Sequence, residues 1–363
     1  MRGTQLSDYD YELPSELIAK YPSNDRDQSR LLVVSRSGKN SKHLVFTDVL
    51  GLLRPGDVVV VNDTKVIPSR LVGRKPTGAR CEVLLLKPWV GKADCLTSFS
   101  DVIKSRSFFE SQIWEALVRP GGKLKPGRIV EVGDDLQIEI LEVLPGGNRI
   151  VRLVSRDTVE KIFKKYGRIP LPPYLNREEE ELDRHRYQTV YSKNPGSVAA
   201  PTAGLHFTPN LLKAINSKGV ECVPVTLDVG VGTFRPVDSI ELERHRMHTE
   251  RYVVPASTAA VINKAKSEGR RVWAVGTTVV RTLESAVSGG IVTSGFGETD
   301  LFIRPPQKCV MIDGLITNFH LPKSTLMMLV AAFCGYDTLV SAYAEAIQNN
   351  YRFYSYGDAM AIE

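Results

Sequence analysis

The sequence predicts an α/β protein, a mixed or parallel sheet covered by helices and interrupted by a small inserted antiparallel β-barrel. Three observations carry this. Val58-Val-Val-Val61 is an unbroken apolar run that ends in Asn62-Asp63-Thr64, and continuous valine without alternation marks a strand buried on both faces. From Pro209 onward, helix-period segments alternate with strand-length apolar runs, the pattern of an α/β sheet. Between Ile67 and Val154, short β-rich runs follow one another with Gly and Pro between them, which reads as a small antiparallel barrel. The expected division is residues 1–66 plus 155–363 for a discontinuous α/β unit and 67–154 for the barrel. A chain of 363 residues has room for both, since a single core usually stops growing at about 250–300 residues.

Taken in order, Pro14 and Ser15 are placed to start one short helix within Tyr11–Ala19, and Arg30–Ser35 reads as a strand. The barrel strands are expected at Ser69–Gly73, Ala79–Leu86, Ile113–Val118, Arg128–Gly133, Leu136–Leu141 and Arg149–Val154, with Val90–Gln112 a polar insertion between two of them. Asp157–Tyr166 has helical periodicity. The run Glu178–Glu181 reads as a solvated helix face, the usual fate of a charge run. Helices are expected at Pro209–Ser217, Ala256–Ser267, Val279–Ala286 and Thr338–Gln348, the last with Leu339, Val340, Tyr343 and Ile347 on one face. Strands are expected at Cys222–Val229, Arg270–Val275 and Leu301–Arg304.

Composition narrows the function classes. No apolar leader opens the chain and no run approaches the roughly 20 apolar residues that cross a bilayer, so a cytoplasmic protein with no membrane partner is expected. Five cysteines stand far apart with no C-x-x-C pair, which suggests neither disulfides nor a zinc site. The formal charge is +6, and the barrel segment alone holds fourteen Lys or Arg against ten Asp or Glu. That excess has the sign a polyanion favours.

Several stretches can carry chemistry. Leu326–Cys334 is apolar throughout and reads as a buried helix, capped by Ser324 or Thr325 and ended by Gly335. Asn318, His320, Lys323, Ser324 and Thr325 gather at its N-terminus, where free N–H groups and the dipole suit an anion; the same residues would serve equally well as backbone caps. Gly276-Thr277-Thr278 forms a second strand-to-helix junction with hydroxyls. Asn62, Asp63 and Thr64 fall at the carboxyl end of the valine strand, where open α/β sheets place ligands. The loop Gly196–Thr208, which holds Thr202 and His206, is too small and polar for a core and too apolar for a solvated linker. His206 and His320 both sit beside apolar anchors, as a general acid or base would, and a structural role fits either nearly as well. His245 and His248 would share a face if helical, but H-x-x-H-x-E is no known zinc signature. Neither a G-x-G-x-x-G after the valine strand nor a P-loop occurs, which argues against Rossmann dinucleotide enzymes, typical Rossmann methyltransferases and P-loop NTPases.

Together these segments resemble the S-adenosylmethionine:tRNA ribosyltransferase-isomerases of queuosine biosynthesis. The likeness runs through Tyr11-Glu-Leu-Pro, Asp25-Arg with Arg30-Leu-Leu, Gly56-Asp-Val-Val-Val-Val-Asn-Asp-Thr, Arg186-Tyr-Gln-Thr-Val-Tyr, Gly196–Thr208, Gly276-Thr-Thr-Val-Val-Arg-Thr-Leu-Glu, Thr317-Asn-Phe-His-Leu-Pro-Lys-Ser-Thr-Leu and Tyr351-Arg-Phe-Tyr-Ser-Tyr-Gly-Asp-Ala-Met. Two positions depart from it. Asp228 stands where Thr-Leu-His-Val-Gly is expected, and Arg304-Pro-Pro306 replaces Tyr-Pro-Gly.

The resemblance implies that the ribosyl part of S-adenosylmethionine moves onto the aminomethyl group of a 7-deazaguanine at the tRNA wobble position. The product is an epoxycyclopentanediol, with adenine and methionine released. S-adenosylmethionine is then a consumed substrate, no cofactor or metal is implied, tRNA is the macromolecular partner, and a monomer is expected. Asp63, His206 and His320 become candidate acids and bases, and Asp228 would substitute for the missing histidine. Candidate substrate contacts are Asn62, Thr202, Thr277, Thr278, Asn318, Ser324 and Thr325, together with Tyr351, Tyr354 and Tyr356 for stacking or for the sulfonium. Arg30, Arg70, Arg186 and Arg281 either join them or anchor structure. Two competing readings are an RNA-binding module without catalysis and an ordinary S-adenosylmethionine-dependent RNA methyltransferase, whose coproduct would be S-adenosylhomocysteine.

Overall fold

The computed structural model describes residues 2–37, 41–89, 112–230, 232, 242–245 and 247–363. The chain enters the main sheet with an antiparallel pair, β1 (Arg30–Val34) and β2 (Lys42–Val45), and passes through a short helix α1 (Val49–Leu52) to β3 (Val58–Asn62). Val58 and Val60 pack into one apolar layer and Val59 and Val61 into the opposite one, so the valine run is buried on both faces. Each fully buried valine contributes about 1.5–3 kcal/mol relative to an exposed one.

After the short β4 (Thr64–Val66), the chain builds the barrel from β5 (Arg70–Arg74), β6 (Arg80–Pro88), β7 (Ile113–Arg119), β8 (Ile129–Val132), β9 (Leu136–Val143) and β10 (Arg149–Val154). These six close in the order β10-β7-β6-β5-β8-β9, antiparallel throughout. Alternate residues point inward, among them Val83, Leu85, Trp114, Ile138, Ile140 and Val151. A Cβ at Gly73 would lie 2.3 Å from the Glu131 carbonyl oxygen, so the β5–β8 contact requires glycine there. Helix α2 (Val159–Tyr166) packs Val159, Ile162 and Phe163 into the same core, with Phe163 edge-on to Trp114 at 5.7 Å. The polar insertion expected at Val90–Gln112 falls, up to residue 111, outside the described residues.

The chain then returns to the sheet. It passes through α3 (Glu181–Arg186), β11 (Asn194–Ser197), which pairs with β4, and α4 (Pro209–Ser217) into β12 (Glu221–Leu227) and β13 (Glu250–Val254). Next come α5 (Ala256–Ser267), β14 (Val272–Val275), α6 (Thr277–Ala286), the small hairpin β15 (Val287–Ser288) and β16 (Ile291–Val292), β17 (Gly295–Thr299) and β18 (Gly314–Asn318). Helices α7 (Thr325–Cys334) and α8 (Tyr336–Gln348) and the strand β19 (Ala359–Ile362) finish the chain. The sheet order is β17-β13-β12-β3-β14-β18-β19-β1-β2, parallel from β12 to β18, antiparallel at the β17 flank and mixed at the β2 flank. Residues of α1 and α4 cover one face, and residues of α5, α6, α7 and α8 the other. The strands flanking β3 are therefore reached by helices on opposite faces, which opens a crevice at their carboxyl ends.

Four expectations need correction. Leu301–Arg304 is not a strand; β17 lies earlier, and the Thr299 hydroxyl accepts the Leu301 N–H at 3.1 Å, turning the chain. Pro305 and Pro306 follow, which have no N–H to give a ladder. The Glu178–Glu181 run is not a helix face. Glu178 bridges Arg70, Arg80 and Arg168, Glu179 is nearly buried against Arg184, and the helix begins only at Glu181. The helix expected near Pro14 is a single 3-10 turn, Ser15–Leu17, because the next residue, Ile18, pairs with Phe353. In α8 the buried face is Leu339, Ala342, Tyr343 and Ala346, whereas Val340 is 39% exposed.

Candidate active site

At the carboxyl ends of β12, β14 and β18 lies a cavity of about 630 Å³, its open mouth included. The Gly276–Thr278 turn forms one wall, Thr317–Leu321 with Ser324 and Leu326 a second, and Ala200–Ala203 with Val229 a third. Tyr174, Tyr354 and Ser355 close the remaining side. Its polar lining consists of hydroxyls, one amide and one imidazole, with no charged side chain.

The two helix N-termini differ in what they leave free. Ser324 caps α7, its hydroxyl accepting the Met327 N–H at 3.2 Å, so one of that end's N–H groups is already taken. Gly276 precedes α6 at φ +90°, a conformation glycine adopts readily, and no side chain caps the helix. The first-turn N–H groups of α6, beside the Thr277 and Thr278 hydroxyls, are therefore the donors available to a ligand.

Asn318 is the polar centre of the opposite wall. Its amide nitrogen lies 3.1 Å from the Tyr354 carbonyl, 3.4 Å from the Asp358 carbonyl and 3.1 Å from His206 Nε2. Two carbonyl acceptors fix this atom as nitrogen. The other atom, Oδ1, is buried without a hydrogen-bond partner among the described residues, an arrangement that costs about 1–3 kcal/mol unless something donates to it.

His206 is buried and stacked on Phe46 at 4.9 Å, with Nδ1 2.7 Å from the Ser29 hydroxyl. Burial, reinforced by the charges of Arg352 and Arg26, lowers its pKa to about 3. Its ring nitrogens are both engaged, and it does not line the main cavity. His320 does line it. Burial likewise lowers its pKa to about 3, and its Nε2 lies 2.7 Å from the Thr317 hydroxyl, which donates to the Asn318 carbonyl at 3.4 Å. That chain of donors puts the His320 proton on Nε2 and leaves Nδ1 with a lone pair.

Asp63 stands one residue beyond β3, clear of the cavity lining. Asn194 donates to its two oxygens at 3.0 and 3.1 Å, and Thr226 to one of them at 2.6 Å. Asn62 clamps strand ends: its amide bonds the Leu227 carbonyl and the Thr278 hydroxyl, and its oxygen accepts from the Thr64 and Leu227 N–H groups. It thereby positions Thr278 without lining the cavity. Asp228 accepts from the Thr64 hydroxyl at 3.2 Å, and burial raises its pKa to about 6 against the opposing pull of Arg251. Of the candidate contacts, Thr202, Thr277, Thr278, Asn318, His320, Ser324 and Tyr354 line the cavity, whereas Thr325 does not.

The other expected contacts lie elsewhere. Tyr351 is 1% exposed, beneath the Arg30 guanidinium at 4.1 Å and bonded through its hydroxyl to His43; it has no face to offer a substrate. Tyr356 donates to Asp183 at 2.7 Å. Arg30 is held by Asp358, and Arg70 by Glu82 on the barrel and by Glu178 beyond it. Arg281 forms an ion pair with Glu250 in which both side chains are 5% exposed. Arg186 holds the Ser23 and Asn24 carbonyls. Tyr354 packs against Tyr174, ring centroids 4.7 Å apart and tilted by 53°, and sits at φ +71°, rare for a residue with a side chain and common at ligand sites. Tyr174 carried no signal in the sequence beyond following Pro172-Pro173, and Ser29, which orients His206, carried none. Among the described residues no group of three or more His, Cys, Asp or Glu could hold a metal, and no single helix is long and apolar enough to cross a membrane.

A doubly covered mixed sheet with an inserted barrel and an uncharged crevice at its carboxyl edge defines a ligand-binding α/β protein. Residues 6–362 match the family described as "Queuosine biosynthesis protein", and the chain belongs to that family. It is 46% identical over 362 residues to a protein of Natranaerobius thermophilus named S-adenosylmethionine:tRNA ribosyltransferase-isomerase, covering 99% of each. A protein of the same name from Desulfitobacterium hafniense is 48% identical over 361 residues, again covering 99% of each. Among solved structures, the S-adenosylmethionine tRNA ribosyltransferase of Thermotoga maritima superposes with a TM-score of 0.54 at 37% identity, covering 98% of this chain and 99% of that one.

Proposed function

We propose that this chain is an S-adenosylmethionine:tRNA ribosyltransferase-isomerase. In this reading it transfers and isomerises the ribosyl group of S-adenosylmethionine onto the 7-aminomethyl-7-deazaguanine at the tRNA wobble position, releasing adenine and methionine. S-adenosylmethionine is a consumed substrate, no resident cofactor takes part, and the chain works as a cytoplasmic monomer. Residues 1–66 with 155–363 form the catalytic unit and 67–154 the inserted barrel.

The observation that carries this reading is the pairing, across one crevice, of the uncapped α6 N-terminus with the orphaned Asn318 oxygen. The helix end suits the methionine carboxylate or the ribose hydroxyls of the nucleoside, and the amide oxygen suits a donor such as an exocyclic amine. An uncharged lining leaves the sulfonium its full acidifying effect on the adjacent ribose carbon. His320 is the candidate base that lines this crevice; burial keeps its ring neutral but only weakly basic, and Nδ1 is the nitrogen left to accept a proton. His206 acts by orienting Asn318. Asp63, turned toward Asn194 and Thr226, fixes the end of β3.

Mass spectrometry of the products formed from S-adenosylmethionine and tRNA carrying the aminomethyl deazaguanine tests this. Free adenine, methionine and an epoxide-bearing nucleoside are expected. S-adenosylhomocysteine would instead make the chain a methyltransferase, and tRNA binding without S-adenosylmethionine binding would make it an RNA-binding module.

A further inference from the structure

A second, narrow cleft, about 250 Å³ with its open mouth included, is lined by Pro22, Ser23, Arg26, Arg186, His206 and Tyr356; Ser355 lines both this cleft and the first cavity. Arg26 and Arg186 are each half-buried there. Among the described residues neither forms an ion pair. Arg26 bonds only the carbonyls of Arg186, Leu205 and His185, and Arg186 only those of Asn24 and Ser23. Asp25 is exposed and makes no ion pair with either, although its charge acts on Arg186 from solvent. By contrast Arg30, Arg177, Arg271, Arg281 and Arg352 each hold a carboxylate.

Two guanidiniums without an ion-pair partner beside one cavity are electrostatically expensive. Burial and, for Arg26, the neighbouring Arg186 charge lower the pKa of both. A guanidinium carries five N–H donors, of which Arg186 uses two, and its Nε is buried with no partner at all. The carbonyl bonds explain why these side chains are held in place; they do not explain two net charges left facing each other. An oxyanion between them would neutralise the pair and take up the spare donors in the forked geometry that arginine favours.

We propose that Arg26 and Arg186 form an oxyanion site for a backbone phosphate of the tRNA substrate. The proposal rests on the tRNA reading given above. Ser355 lines both cavities, and His206, which lines this one, is bonded to Asn318 of the nucleoside crevice. A nucleotide that delivers its base to an enclosed site brings its own phosphates within one residue layer of it. The carboxylate of S-adenosylmethionine shares the chemistry, and the experiment separates the two sources.

The test compares wild type with Arg26→Gln/Arg186→Gln, and with Arg26→Lys/Arg186→Lys as a charge-retaining control for folding. Inorganic phosphate should raise the melting temperature of the wild type and leave that of the Gln variant unchanged. The Gln variant should bind tRNA more weakly, with a slope of log Kd against log salt reduced by about 1, and the Lys variant should keep most of that slope. Unchanged tRNA affinity and salt slope overturn the proposal. A raised KM for S-adenosylmethionine at unaltered tRNA affinity also overturns it, in favour of the methionine carboxylate. Because phosphate protection needs no RNA, its loss alongside a wild type that binds no tRNA would count against the functional reading and leave the anion site standing.

Discussion

The Asn318 side-chain amide donates to Nε2 of His206 across 3.1 Å, while the other nitrogen of that ring faces the Ser29 hydroxyl at 2.7 Å. The pair fixes a neutral imidazole with its proton on Nδ1. It also pins Asn318 so that Oδ1 is the atom left over. His206→Ala should therefore destabilise the fold by about 1–3 kcal/mol, through a lost buried partner, and weaken S-adenosylmethionine binding. Denaturant unfolding and calorimetric titration check both. A fully stable variant with unaltered binding would remove His206 from the site.

His320 has a different role, and its replacement should separate chemistry from binding. His320→Ala should lower kcat by about 10²–10⁴, the range for loss of a positioned acid or base, with nucleoside affinity little changed. Thr317→Val, which removes the hydroxyl holding Nε2, should cost about 1 kcal/mol of orientation, roughly fivefold in kcat. Single-turnover rates with saturating tRNA provide the measurement. Equal losses in both variants would point to a packing defect instead.

The pH dependence has two opposing contributions. His206 and His320 bind protons less readily in the fold, at about 3, than in the unfolded chain at about 6.5. Stability they contribute above pH 6.5 is lost as pH falls toward 3. Asp228 is raised from 3.8 to about 6, so it costs stability as pH rises from 4 to 6. Asp228→Asn should therefore be more stable than wild type at pH 7–8, by a margin that shrinks toward pH 4. Melting temperatures across that range read the difference. A margin that grows in acid would reverse the assignment.

Glu250 ties two parts of the site together. Its Oε1 accepts the Gly230 N–H at 2.9 Å, next to the cavity-lining Val229, and its Oε2 pairs with Arg281. Removing it leaves a buried guanidinium uncompensated, so Glu250→Ala should cost about 3–5 kcal/mol. Urea unfolding reads this directly.

Lys123, Lys125 and Arg128 are all exposed on one side of the barrel. Reversing the three to Glu should weaken tRNA binding and flatten its salt dependence, with no effect on S-adenosylmethionine affinity. Unchanged tRNA affinity would place the nucleic acid elsewhere.

Much of this arrangement was legible because its signals are local. The valine run, the Gly276-Thr277-Thr278 junction and the apolar stretch after Ser324 each specify an element and its end, and all three meet at the carboxyl edge where α/β topology puts ligands. The barrel strands were legible for the same reason, through alternation and turn residues. What failed depends on partners far apart in the chain. Tyr351 looked like a stacking platform until Arg30 and His43, more than 300 positions away, claimed its face and its hydroxyl. The glutamate run looked solvated because Arg70, Arg80 and Arg168, which neutralise Glu178, arrive from the barrel and its return. Arg281 and Glu250 lie on different elements, and nothing in either segment announces that they are sealed together.

The barrel leaves the sheet just after Asp63 and returns beside its own exit. Arg70 and Arg168 exchange backbone hydrogen bonds of 3.1 and 2.9 Å there. The exit and the return of the insertion are thus held side by side, a few residues past the carboxyl end of β3. Any torque on the insertion is delivered first to Asn62 and Asp63, whose side chains grip Leu227, Thr278 and Asn194. Because Asn62 holds Thr278 of the cavity wall, a load on the barrel has a short covalent path, through residues 63–70, to that wall.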